Sequence, residues 1–255
     1  MRIVVTVKHV PDAQSERRIS DGRVERGLDD VLNELDENAV EAAVTLAEEC
    51  GGSVVALTMG PDDADDALRR ALQMGVDEAV HVNDARCAGA DVAVTARVLA
   101  AAIERIAAQD PVDLVITGMA SMDGLTAMLP GALAQYLALP ALTLAADVKV
   151  VDGVVTITRT VSDATETFRA PLPALISVTD QANEPRIPNF KSMMAAKKKK
   201  ITTLDLDELS LTELTPATRI VSAVQRPARE PGTVVTDTGH AGDTLVNWLR
   251  GRKVI

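Results

Sequence analysis

The sequence predicts a doubly wound α/β fold with a mostly parallel sheet, an antiparallel extension and an extended C-terminal arm. Three observations predict it. Buried-strand runs alternate with Ala-rich helical runs over the first two-thirds of the 255 residues. Aromatic residues are only 2% of a chain that is 47% hydrophobic, which leaves the core to Ala, Val, Leu and Ile, a mix suited to a parallel sheet under small-residue helices. Gly-containing turns punctuate the passage from strand to helix.

The elements follow in order. Residues 3–7 read as a first buried strand that stops at Lys8 and His9, too short an apolar run for a signal peptide. Asp21-Gly22 between β-formers predicts a small hairpin over 19–24. Val40, Ala43, Val44 and Ala47 form the apolar stripe of a helix over 36–50, which Gly51-Gly52 ends. A second buried strand over 53–59 runs into Gly60-Pro61. The acidic Asp62, Asp63, Asp65 and Asp66 then suit the positive end of the next helix dipole, and Gly75 closes that helix. A short strand over 76–82, a long Ala-rich helix over 91–108 and a buried strand over 112–117 come next. A helix over 125–137 is expected with Pro130 in its first turn.

The texture then changes. A hairpin over 148–158 turns at Gly153, residues 165–169 add a β segment, and residues 174–178 form a last buried strand; together these are expected to extend the parallel sheet with antiparallel strands. From about Pro185 the chain reads as an arm that buries little. It has a Pro/Lys-rich stretch, a short acidic helix near 206–209, a Pro-containing extended segment and a closing helix over 243–250. The expected organisation is a domain over 1–184, a recognition loop over 185–200 and an arm over 201–255.

Several function classes are disfavoured. A formal charge of −11 repels nucleic acid and anionic membranes, and no run is long enough to insert in a membrane. Cys50 and Cys87 have no metal or redox spacing and read as thiols in a reducing cytoplasm. His9, His81 and His240 are scattered, with no triad or metal spacing, so nothing marks the chain as an enzyme.

In a doubly wound sheet, ligands bind at the carboxyl ends of strands, which points to the loops after Val7, Met59 and Thr117. Gly118-Met119-Ala120-Ser121-Met122-Asp123-Gly124, followed by Leu125 and Thr126, allows close backbone approach and places free N–H groups near a helix start, as a phosphate requires. A plain turn accounts for it equally well, and neither a Walker lysine nor GxGxxG is present. Asn33-Glu34-Leu35-Asp36 opens a helix. Asn33 or Asp36 serves either as the N-cap or as a contact to an adenine or ribose. His9, beside the end of the first strand, is a further candidate to approach a cofactor. In the arm, Arg186, Ile187, Phe190, Met193 and Met194 precede Lys197 to Lys200. The segment reads either as a solvated linker or as an apolar anchor with steering charge.

Asn183-Glu184-Pro185-Arg186, an apolar residue, paired methionines and Ala196 before four lysines resemble the signature of electron-transfer flavoprotein beta subunits. The likeness covers nearly the whole chain. It includes Val5-Thr6-Val7-Lys8-His9-Val10-Pro11-Asp12, Gly60-Pro61, Ala71-Leu72-Gln73-Met74-Gly75-Val76-Asp77, Val112-Asp113-Leu114-Val115 and Leu172-Pro173-Ala174. The resemblance implies a non-enzymatic electron carrier on an adenine-nucleotide-binding type of α/β fold, paired with an alpha subunit that carries most of the FAD site. It implies a structural AMP lined by Thr6, residues 33–36, Met59 and residues 118–129, and docking through Phe190. Acyl-CoA or related dehydrogenases would supply electrons in fatty acid oxidation, a membrane quinone oxidoreductase would receive them, and the tail would lie on the alpha subunit.

Two departures bear on this. Ala127-Met128-Leu129-Pro130 stands where many relatives carry Thr-Gly-Gln or Ala-Gln-Val-Gly, and Ala13 stands where some place an aromatic over the flavin. Two alternatives stay open: a bifurcating-type subunit with a second FAD in the AMP site, and a stand-alone adenine-nucleotide sensor.

Overall fold

The computed structural model describes residues 1–15, 18–20, 23–27 and 29–255. They divide into two compact units, Met1–Ala223 and Val224–Ile255. The first unit runs β1 (Arg2–Thr6), β2 (His9–Pro11), β3 (Ile19–Ser20), β4 (Arg23–Val24), β5 (Asp30–Leu32), α1 (Glu34–Cys50), β6 (Ser53–Met59), α2 (Asp65–Gln73), β7 (Glu78–Val82), α3 (Val92–Ala107), β8 (Leu114–Gly118) and α4 (Leu129–Leu137). It continues through β9 (Ala141–Ala145), β10 (Asp147–Val151), β11 (Val154–Val161), β12 (Ala164–Pro171), β13 (Ala174–Val178), α5 (Phe190–Ala196) and β14 (Ile201–Leu204). In the second unit, α6 (Ala241–Gly251) buries none of its residues, and Arg252 stacks over Trp248 at 4.5 Å.

Among the described residues, seven strands form one parallel sheet in the order β14-β7-β6-β1-β8-β13-β9. The chain builds outward from β1 through β6 and β7, then crosses back to β8. The switch in strand order therefore falls between β1 and β8. Alternation along the strands feeds two cores. Ile3 and Val5 of β1 pack with α1 and α2, while Val4 packs with α3 and α4 on the other face. The largest fully buried side chains are Ile, Leu and Met, as the shortage of aromatics requires.

The doubly wound reading holds, with differences at its margins. The antiparallel strands β10, β11 and β12 are a separate sheet, not an extension of the parallel one, and their Val155, Ile157 and Ala170 cover the α1 side of the core. Their first hairpin turns at Asp152 and Gly153, both at positive φ (50° and 74°), as a primed turn demands. Two sheet strands, β9 and β14, had no sequence signal: each is short, and only some of its residues are buried. The start of the expected arm belongs to the core, because β14 pairs with β7 and Leu206, Leu209 and Leu211 are buried behind it. Residues 206–210 form turns, not a helix. The helix expected from Leu125 starts at Leu129, since Leu125 and Ala127 take positive φ (51° and 52°) ahead of Pro130. Ile19 and Val24 pair as the predicted hairpin requires, while its Asp21-Gly22 turn lies outside the described residues.

One glycine sets how closely α1 approaches the sheet. A Cβ at Gly118 would lie 2.3 Å from Asp36 Oδ1 and 2.8 Å from the Leu35 carbonyl oxygen, whereas one at Gly131 in α4 would meet nothing within 4 Å. Gly118→Ala is expected to destabilise the fold by about 1–3 kcal/mol through overpacking. Gly131→Ala is expected to be neutral or stabilising by up to about 1 kcal/mol. Urea midpoints of the two variants check this pair; equal midpoints would contradict it.

Candidate functional site

The two candidate segments meet across the switch between β1 and β8. Thr6 closes β1 and is buried. The strand direction carries on through Val7, whose N–H donates to the Leu57 carbonyl at 2.9 Å and whose carbonyl accepts from Thr58 Oγ1 at 2.8 Å. Asn33 stands at the N-cap position of α1 but makes no capping bond with its side chain. Fully buried, it reaches across to the loop after β8: Nδ2 donates to the Ala120 carbonyl at 3.0 Å, and Oδ1 accepts from the Met122 N–H at 2.9 Å. Neither reading of Asn33 from sequence named this role.

Asp36 and Leu35 lie under Gly118, and Asp36 Oδ2 accepts the Lys8 N–H at 2.8 Å. Burial pushes the Asp36 carboxyl up to about 7. The Asn33 side chain, the Lys8 N–H, the Lys8 charge and the Gly118 N–H act in the opposite sense. Lys8 then turns its ammonium to the loop, with Nζ 2.9 Å from Asp123 Oδ1 and 3.4 Å from Ser121 Oγ, and Arg26 pairs with the same carboxylate. Burial opposes ionisation of Asp123, but Lys8, Ser121 and Arg26 outweigh it and hold its carboxyl well below the usual range. The loop's acid is thus neutralised locally by two cations that sequence reading did not single out. The signal was the basic residue directly after the first strand.

Met119, Ala120, Ser121, Met122 and Asp123 are half-buried, whereas Gly124, Leu125 and Thr126 are exposed. The N–H groups of Thr126, Ala127 and Met128 make no hydrogen bond among the described residues. Leu125 and Ala127 at positive φ give this stretch the alternating backbone of an anion-binding concavity. Met59 is half-buried at the end of β6, and Glu34 is exposed. The His9 imidazole stands with Asp30, Nδ1 lying 3.8 Å from Oδ2.

The arm segment is clamped at one end and open at the other. The Arg186 guanidinium bonds Glu41 Oε2 at 2.8 Å and Glu48 Oε1 at 2.8 Å, both on α1. At Glu41 burial works against ionisation, yet the Arg186 bonds prevail and lower its carboxyl; at Glu48 the Arg186 bond is the leading cause of the same shift. Asn189 and Ser192 close a reciprocal capping box on α5. Ile187 and Phe190 project at 89% and 77% exposure, flanked by the more covered Met193 and Met194.

A pH dependence follows from Asp36. Its folded pKa is raised from 3.8 to about 7, so the stability held by its neutral form is full below about pH 4 and is lost as pH rises through 7. Asp36→Asn, neutral throughout, is expected to flatten this fall. The gap in urea midpoint between wild type and variant should shift in favour of the variant from pH 5 to pH 8. A gap constant across that range would contradict the assignment.

A family model described as the electron transfer flavoprotein domain matches residues 23–209. The "Electron transfer flavoprotein subunit beta" of Mycobacterium tuberculosis is 40% identical over 99% of each chain. The protein of the same name from Megasphaera elsdenii is 32% identical over 100% of each. The "Caffeyl-CoA reductase-Etf complex subunit CarD" of Acetobacterium woodii is also 32% identical over 100% of each. The chain therefore belongs to the electron transfer flavoprotein family, among its electron-carrying beta subunits.

Proposed function

We propose that this chain pairs with an alpha subunit holding most of an FAD, and that the heterodimer carries electrons from acyl-CoA or related dehydrogenases to a membrane quinone oxidoreductase. The single observation that carries this reading is the arm segment. Arg186 spends its charge on Glu41 and Glu48, which fixes the path of the chain, and Phe190 is left 77% exposed on a capped helix. An exposed aromatic that is held in place loses little entropy when a partner's pocket covers it. Ile187, Met193 and Met194 extend the apolar surface, and Lys191, Lys197, Lys198 and Lys200 supply charge for steering.

The cradle between β1 and β8 fits a structural AMP. Thr6, Asn33 to Asp36 and Met59 would border the nucleoside. The free N–H groups of residues 126–128 would receive the phosphate, which offsets the loss of polar side chains at Ala127 to Pro130. Neutralisation of Asp123 by Lys8 and Arg26 removes the charge that would repel it. FAD, when bound, supplies the redox chemistry. This chain's part is to position, to exclude water and to dock. The likeness to a subunit of a caffeyl-CoA reductase complex favours one second reading, a bifurcating-type subunit with a second FAD in this cradle.

Phe190→Ala is expected to raise the dehydrogenase concentration needed for half-maximal flavin reduction about tenfold or more, since a buried Phe contributes roughly 1.5–3 kcal/mol. Flavin content should be unchanged. Stopped-flow reduction by an acyl-CoA dehydrogenase checks it, and wild-type kinetics in the variant would remove the docking role. Asn33→Ala leaves the Ala120 carbonyl and Met122 N–H without their partner, so it is expected to lower nucleotide retained through gel filtration. Full retention would remove the cradle.

A further inference from the structure

Apart from the cradle and the docking segment, one cluster of side chains has chemistry that the electron-carrier role does not use. His9 begins β2, Asp30 begins the β5 strand paired with it, and Asp63 lies in the turn that follows β6. One ligand atom from each lies within 4.8 Å of the others. Two of the three groups are closed to water, His9 at 7% exposure and the Asp30 side chain at 3%, while Asp63 is half-buried.

Three facts point to a bound cation. First, His9 Nε2 and Asp63 Oδ1 are buried and have no hydrogen-bond partner among the described residues. A buried polar atom without a partner costs about 1–3 kcal/mol, so two in one cluster need an explanation. Second, two carboxylates this close repel each other unless something positive stands between them. Neither Asp30 nor Asp63 has a Lys or Arg ion pair among the described residues: Asp30 Oδ2 accepts only the Gly27 N–H at 3.0 Å beside His9, Lys8 and Arg26 pair with Asp123, and the other Arg26 nitrogen donates to the His9 carbonyl at 2.7 Å. Third, the donor set is one imidazole nitrogen with two carboxylates. That mixture suits a borderline divalent transition metal better than calcium or magnesium, which prefer oxygen alone.

We propose that His9, Asp30 and Asp63 bind one divalent transition-metal ion, with zinc as its representative. Donor atoms around zinc stand roughly 3–3.5 Å apart, so a small contraction through the Asp side chains closes the site, leaving a position for water or a fourth ligand. The role is structural. The ion joins the β2–β5 ribbon, which leads into Asn33, to the turn after β6, so two of the chain segments bordering the cradle are stapled at one point.

The test uses the full chain purified with its partner subunit, stripped with a chelator and then dialysed against Zn2+. Wild type is expected to retain about one zinc per chain by mass spectrometry of the metal. Asp63→Asn and His9→Gln are each expected to raise the Kd about tenfold or more. X-ray absorption of the wild-type complex should give a first shell of nitrogen and oxygen alone at about 2.0–2.2 Å, with imidazole scattering beyond it. That spectrum decides the case even where a variant fails to fold. No retained zinc in wild type, equal affinity in folded variants, or a sulfur shell from Cys50 or Cys87 would each overturn the site.

Discussion

The fit between Gly118 and the first turn of α1 is the constraint on which the rest of the edge between β1 and β8 depends. Asp36 Oδ1 occupies the space where any side chain at 118 would begin, so β8 and α1 are joined almost backbone to backbone. That closeness brings Asn33 within reach of Ala120 and Met122 and brings Asp36 onto the Lys8 N–H. The cost is a carboxyl removed from water. Its consequences are the upward shift of Asp36 and an edge whose stability depends on pH. A glycine with ordinary backbone freedom is thus kept there by sterics, not by a turn.

Two groups of ion pairs shape the candidate segments of this acidic chain. Lys8 and Arg26 neutralise one carboxylate inside the loop, and Arg186 takes two carboxylates from α1. The first arrangement leaves the loop's acid without net charge. The second fixes a segment whose exposed side chains are apolar. In both, ion pairs set geometry more than they add net stability, since partly exposed pairs contribute little.

The parallel sheet was legible because its inner strands are continuous Val/Ile/Leu runs, as at Ile3 to Val5, which ends before Lys8, and Leu114 to Ile116, which lies between Pro111 and Gly118. The edges were not. β14 has four residues after a lysine run, and its burial comes from β7 and from Leu206 and Leu209 further along, which local pattern does not reveal. The start of α4 was misplaced because positive φ at Leu125 and Ala127 has no signature in non-glycine residues. At the site, the loop and the helix start were readable as places, but not as a joined unit. The bond from Asn33 to Ala120 spans 87 positions, and the Lys8 pair with Asp123 spans 115. Such partners are set by strand order, which follows from crossover handedness and packing and not from any spacing in the chain.

In the proposed role the edge between β1 and β8 holds an adenine nucleotide while the partner chain keeps most of the flavin. Release and quantification of bound cofactors from the purified heterodimer tests it most directly. One FAD and one AMP per heterodimer are expected. Two FAD without AMP, or flavin with an edge that retains no nucleotide, would contradict it.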